Sequence, residues 1–244
     1  MRVVTDDKHY HDIGEAIREK NGTETQYKPS EMADAVRNIP SGGGVDYSAL
    51  ESVLSDGYTD YSYYFYDKEL ITEAPSEILQ HTASGTHFAY MFYNNKALTA
   101  FPPIDISNGI DFNRFLYGCS ALTEVPVLDT QKCDNAGYFF SYCSKLVTIG
   151  GIDISKARTI SSMFVGCDAL ENITFNGVIK KSGLSLSSCT KLTHESLMSI
   201  INALYDWAAE GSTSTYTLTL GSTNLAKLTD AEKAIATQKG WTLA

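Results

Sequence analysis

Residues 112–129 read FNRFLYGCSALTEVPVLD, and residues 136–153 read AGYFFSYCSKLVTIGGID. Laid over one another at an offset of 24 residues, they share an aromatic position, a cysteine, a leucine, two aliphatic positions and a closing aspartate. The same frame fits FAYMFYNNKALTAFPPID at 88–105 and ISSMFVGCDALENITF at 160–175. Leu98, Leu122, Leu146 and Leu170 mark the period. Leu70 lies 28 residues before this series and Leu192 lies 22 after it, which gives about six units with degenerate outer ones.

Other columns keep the same step. Phe88, Phe112, Ala136 and Ile160 form one, and Met91, Phe115, Phe139 and Met163 another. Phe92, Leu116, Phe140, Phe164 and Leu186 form a third, and Asn95, Cys119, Cys143, Cys167 and Cys189 a fourth. Behind the leucine come Phe101, Val125, Ile149 and Ile173, then Ile104, Leu128 and Ile152, then Asp105, Asp129 and Asp153. A 24-residue unit is too small to bury its own apolar face, so units of this kind stack. The L-x-x-[VIF] piece, rich in β-branched residues, is the expected short strand. Strands in register would set neighbouring coils about 4.8 Å apart.

The pattern MF-x-G-C-x-A-L-x-x-(I/V)…(I/L)-D-x-S-K resembles the BspA-type leucine-rich repeats and related lipoprotein-type repeats of bacterial surface proteins, over roughly residues 60–192. That resemblance implies a surface or adhesion module without catalytic residues. Two departures, Asp67 in the cysteine column and Glu195 in place of the strand hydrophobe, suit the ends of a stack. The string DIGEAIREKNGTETQYKPSEMADAVRNIP resembles a short module at the start of tail and fibre proteins from phages of Gram-positive hosts. The ending LTLGSTNLAKLTDAEKAIATQKGWTLA is similar to the cap of repeat proteins in phage tail loci.

The expected fold class is α/β and β-rich: a leucine-rich-repeat-like solenoid with a C-terminal α/β cap and an N-terminal helical hairpin. Residues 1–40 read as the hairpin, an attachment module. Residues 41–57 are the linker, with Ser41-Gly42-Gly43-Gly44, and the entry. Residues 58–192 are the repeat and 193–244 the cap. In the cap, Thr193 is placed to start a helix with Leu197, Ile200, Ile201, Leu204 and Trp207 on one face. Tyr216, Leu218 and Leu220 alternate as in a strand, Thr229 and Glu232 have capping-box spacing, and Gly240 ends the last helix.

Lys and Arg number 19 against 29 Asp and Glu, for a net charge of −10 in 244 residues. Such an acidic chain is a poor match for nucleic acid, which needs a basic face. No apolar run approaches the roughly 20 residues of a membrane span. The start, MRVVTDDKHYHDIGEAI, lacks the apolar core of a secretory signal. Neither membrane insertion nor export by that route is expected.

Five cysteines, four of them one per coil, point to buried free thiols, because a metal site needs its ligands to converge. Cys133, off the column, is expected to be the most reactive. The column Asp105, Asp129, Asp153 would stack at glycosidase-like separations, yet each aspartate can bond its own turn; calcium on this column is the remaining alternative. His9 and His11 lack a third ligand. No catalytic residue, cofactor or metal is expected.

Tyrosine is abundant, 15 against 10 phenylalanines. Tyr93, Tyr117 and Tyr142 would form a row about 5 Å apart per step and are the candidate binding residues. The expected function is a non-enzymatic phage or prophage tail protein that binds a receptor on a bacterial surface. It would be made in the host cytoplasm and carried on the virion tail, as a homo-oligomer joined to other tail proteins through residues 1–40. Its partner would be a surface glycan or protein. A bacterial cell-surface adhesin is the alternative, and a surface-glycan hydrolase a third reading.

Overall fold

The computed structural model describes residues 59–67, Leu79 and residues 81–244. The expected hairpin at 1–40 and linker at 41–57 lie outside the described residues, as do His9, His11, Tyr58 and Leu70. Where it is described, the chain passes one face repeatedly, each pass parallel to the last. Asp60 pairs with His87, His87 with Asp111, Asp111 with Asn135, and Asn135 with Thr159. From His87 onward the step is 24 residues.

A second parallel contact comes from the L-x-x-[VIF] piece. It forms β1 (Glu124–Val127), β2 (Thr148–Ile152) and β3 (Asn172–Phe175), in the order β1-β2-β3. Val125 is opposite Ile149, and Ile149 opposite Ile173, so one apolar column is a strand register. All three side chains are buried. The pass before β1 has Phe101-Pro102-Pro103 in this place and carries no strand. Proline has no N–H to donate and confines φ.

Between the two contacts lies the apolar interior. Phe65 stacks on Phe92 at 5.2 Å, Phe88 on Phe112 at 5.4 Å, and Phe140 on Phe164 at 5.7 Å. Each fully buried aromatic or aliphatic side chain contributes roughly 1.5–3 kcal/mol. The leucine column Leu98, Leu122, Leu146 and Leu170 is wholly buried.

All five cysteines are free and buried. The column cysteines do more than fill space. Sγ of Cys119, Cys143 and Cys167 donates to the carbonyls of Phe92, Leu116 and Phe140, at 3.1, 3.1 and 3.0 Å. Each thiol thus ties its pass to the one before. Asn95 holds the same column position; its amide is buried and finds no hydrogen-bond partner among the described residues. Cys133 corrects the expectation of a reactive thiol. It is as buried as the others, and burial pushes its pKa up to about 12.

The last strand is closed by helix α1 (His194–Ala203), not by another strand. Ser196 Oγ accepts from the Ile173 N–H at 3.1 Å and donates to the Glu171 carbonyl at 3.0 Å. One hydroxyl thereby takes up two backbone groups that a further strand would have paired. Thr193 caps α1 by accepting from the Ser196 N–H. The helix ends at Ala203, so Leu204 and Trp207 are not on its face; Trp207 stacks instead on Tyr216 at 4.6 Å.

Beyond α1, Thr219 pairs with Ser185. Strand β4 (Tyr216–Leu218) pairs in parallel with β5 (Trp241–Leu243). Helices α2 (Ser222–Leu225) and α3 (Asp230–Gln238) lie between them in sequence. Thr229 and Glu232 form a full capping box on α3. The buried amide of Asn224 donates to the carbonyls of Leu186, Cys189 and Leu220. Lys227 Nζ donates to those of Thr190 and Leu192. These side chains satisfy carbonyls that the last pass would otherwise leave open.

Candidate functional site

The site is built by the turn that opens each pass. In residues 88–95, the N–H groups of Phe88, Tyr90, Phe92 and Asn94 donate to the carbonyls of Asp111, Asn113, Phe115 and Tyr117 in the next pass. The alternate N–H groups, of Met91, Tyr93 and Asn95, turn back to the carbonyls of Phe88, Tyr90 and Phe92. The same alternation holds at 61–67, 112–119 and 136–143. It puts two residues of each turn in the left-handed backbone region. One column is Tyr63, Tyr90, Arg114, Tyr138 and Ser162, with φ between 55° and 65°. The other is Asp67, Asn94, Gly118, Tyr142 and Gly166.

The first column makes a stack. Tyr63 lies on Tyr90 with ring centres 4.7 Å apart. Arg114 is the next rung, its guanidinium 5.3 Å from the centre of the Tyr90 ring and 4.4 Å from that of Tyr138. Arg114 Nη1 donates to the Tyr90 hydroxyl at 2.6 Å and to Asn113 Oδ1 at 3.0 Å.

Three residues further along each turn is a second stack. Tyr66, Tyr93 and Tyr117 follow one another at 4.7 Å, with interplanar angles of 3° and 8°. The two stacks touch, with Tyr63 5.6 Å from Tyr66 and Tyr90 5.6 Å from Tyr93. The next rung of the second stack would be Ser141, which is buried and donates to the Ser162 carbonyl. Tyr142, one position later, supplies the ring instead, 5.1 Å from Tyr117 and tilted by 62°. It is 49% exposed. A Cβ on Gly166 would come within 2.8 Å of its Cδ1, so glycine leaves the ring its place. Exposed Val165 follows on the same side.

Tyr93, Tyr117 and Tyr142 are thus brought into one row. In a parallel stack the ring faces cover one another, so Tyr93 and Tyr117 offer edges and hydroxyls to a ligand. The tilt of Tyr142 breaks the stack. Burial first, and then the neighbouring phenol, raise the pKa of Tyr93 and of Tyr117 above the ordinary 10.0. Both hydroxyls are therefore protonated at neutral pH and able to donate and accept.

The aspartate column serves turns. Asp105 Oδ1 accepts from the Ser107 N–H at 3.0 Å. Asp153 Oδ1 accepts from the N–H and hydroxyl of Ser155, at 2.8 and 2.6 Å. Asp129 is exposed. Among the described residues no group of three or more His, Cys, Asp or Glu is placed to hold a metal ion.

Sequence reading missed Tyr63, Tyr90, Arg114 and Tyr138 as one column. The signal is present, since Tyr90, Arg114 and Tyr138 are 24 residues apart. It also missed the polar position before each first core residue. There Asp60, Asp111 and Asn135 accept from the N–H two residues on, at 3.0, 3.0 and 3.2 Å. Asn135 also donates to Asp111 at 3.0 Å across passes. Compared with protein-family models, curated proteins and solved structures, the chain matches none.

Proposed function

We propose that this chain is a non-enzymatic binding protein of a phage or prophage tail. In this reading the parallel passes make a leucine-rich-repeat-like solenoid, and the tyrosine face holds a glycan on a bacterial surface. The observation that carries the reading is the pair of adjoining tyrosine stacks. Bulky residues occupy the first column at positive φ, where glycine would cost the least. A non-glycine residue there costs roughly 1–2 kcal/mol. Stacking returns about 0.5–1.5 kcal/mol per aromatic pair, so stability alone is a poor reason for tyrosine. A row of phenol edges supplies closely spaced donors and acceptors on a stiff support, which suits a polymer of hydroxyl-bearing units. Single contacts of this kind are weak, and several copies on one particle would raise the avidity.

The test is retention of the full chain on purified cell walls of Gram-positive bacteria. Wild type is compared with the triple variant Tyr93→Ala, Tyr117→Ala, Tyr142→Ala. At least tenfold weaker retention of the variant is expected. Equal retention, with matching circular dichroism, would remove these residues from the site.

A further inference from the structure

Arg114 stands apart on the tyrosine face. In the turns at 60–67, 87–94, 111–118, 135–142 and 159–166 it is the single Lys or Arg. It occupies a left-handed position, φ 55°, where glycine or asparagine would be cheaper. Its plane is fixed from two sides by Tyr90 and Tyr138. Nη1 is held by the Tyr90 hydroxyl and Asn113 Oδ1.

The other edge of the guanidinium is open. Nε and Nη2 donate to no acceptor among the described residues, and neither is a buried atom. These two nitrogens form the side-on fork that matches two oxygens of a carboxylate or phosphate. The same chain uses that fork elsewhere: Arg158 Nε and Nη2 donate to the two carboxylate oxygens of Asp134, at 2.6 and 2.7 Å. No such acid faces Arg114. Asp111, three residues before it, accepts from the Asn113 N–H and the Asn135 amide instead.

We infer that the open fork of Arg114, clamped between Tyr90 and Tyr138, reads an anionic group, carboxylate or phosphate, on the bound glycan. This rests on the glycan-binding reading of the tyrosine face. Tyr93 and Tyr117, flanking the arginine in the second stack, would hold hydroxyls of the same polymer. The chain's net charge of −10 repels a densely anionic polymer at long range. One fork in a row of neutral phenols therefore selects a sparsely charged chain, with one acid in register with Arg114.

The experiment uses the full chain and the wall preparation above in three forms. One is untreated, one has its phosphodiesters removed with hydrofluoric acid, and one has its carboxylates amidated with carbodiimide. Wild type is compared with Arg114→Gln and Arg114→Lys. On untreated walls Arg114→Gln should bind at least tenfold more weakly, and Arg114→Lys should recover only part, because a point charge lacks the fork. One treatment should weaken wild type to the level of Arg114→Gln and leave that variant unchanged. Which treatment does so identifies phosphate or carboxylate. Arg114→Gln retained within twofold of wild type, while the triple tyrosine variant is lost, overturns the arginine assignment alone. Absence of wild-type retention on every wall overturns the glycan reading beneath it.

Discussion

Replacing Asn95 with cysteine should stabilise the protein. Asn95 stands in the column whose next three members donate a thiol hydrogen to a carbonyl of the preceding pass, at 3.0–3.1 Å. Its own amide is fully buried, and neither Nδ2 nor Oδ1 has a partner among the described residues. Leaving a buried polar group unsatisfied costs about 1–3 kcal/mol. Asn95→Cys removes that cost and places a thiol where the neighbouring passes carry one. The smaller side chain gives back part of the gain through lost packing. A net stabilisation of about 1 kcal/mol is expected, or a rise in Tm of about 2–4 °C for a chain of this size.

The reciprocal change sharpens the case. Cys119→Asn deletes the S–H bond to the Phe92 carbonyl and buries a second amide. It should cost about 2–3 kcal/mol. Both proteins are measured by urea melts, where a shift of midpoint at constant slope reports stability alone. If Asn95→Cys melts earlier than wild type while Cys119→Asn is neutral, the column tolerates amides and the reasoning fails.

Gly118→Ala and Gly166→Ala should each lose about 1–3 kcal/mol in thermal melts, because both glycines have φ above +70° and the new Cβ would meet Asn94 Oδ1 at 2.4 Å or Tyr142 Cδ1 at 2.8 Å. Leu146→Ala should cost about 2–5 kcal/mol in urea; a loss under about 0.5 kcal/mol would mean that the leucine column is not core. All five thiols, Cys133 included, should resist a thiol reagent until the chain unfolds, because burial raises each folded-state pKa above the ordinary 9.0. Their contribution is complete below pH 9.0 and is lost as pH rises toward the folded values, about 12 for Cys133 and Cys189, with a limit near 1.4 kcal/mol per pH unit for each thiol. The alkaline limb of stability should flatten in the double variant Cys143→Ala, Cys167→Ala, and an unchanged limb counts against buried thiols. Asp105, whose pKa is lowered from 3.8 chiefly by the Ser107 N–H, contributes stability above pH 3.8 that is lost as pH falls further, so Asp105→Ala should show a shallower acid limb than wild type.

The strand register was legible because it repeats like with like. Val125, Ile149 and Ile173 are equally spaced, equally apolar and hydrogen-bonded in the same register. The limits of α1 were less legible. Leu204 and Trp207 keep a helical spacing from Leu197 and Ile200, and nothing nearby in sequence announces that the chain turns extended at Leu204. The demand is tertiary: Tyr205 N–H must reach the Ile179 carbonyl, and Ile179 N–H the carbonyl of Ala203. Cys133 was misread for a similar reason. Its polar neighbours Gln131 and Lys132 are exposed, whereas the turn between Thr130 and Cys133 carries the thiol inward.

The candidate site was half legible, and the missing half is the backbone. Tyr93 and Tyr117 could be placed in one row from spacing alone. That their faces are turned on one another depends on alternating turn and cross-pass hydrogen bonds, which set φ positive at Tyr90, Arg114 and Tyr138. Gly118 and Gly166 were the visible trace of that geometry, two glycines at one position of the period. Tyr142 in the same column hid it, because a bulky residue does not advertise a left-handed backbone. Arg114 escaped for the opposite reason. A column of like residues is found by identity, and arginine among tyrosines breaks the identity while keeping the flat shape that stacking requires. A repeat protein that carries function on one face must depart from its own consensus there. The informative rungs are therefore those where the period holds and the residue type changes: Asn95 among cysteines, Tyr142 among glycines and Arg114 among tyrosines.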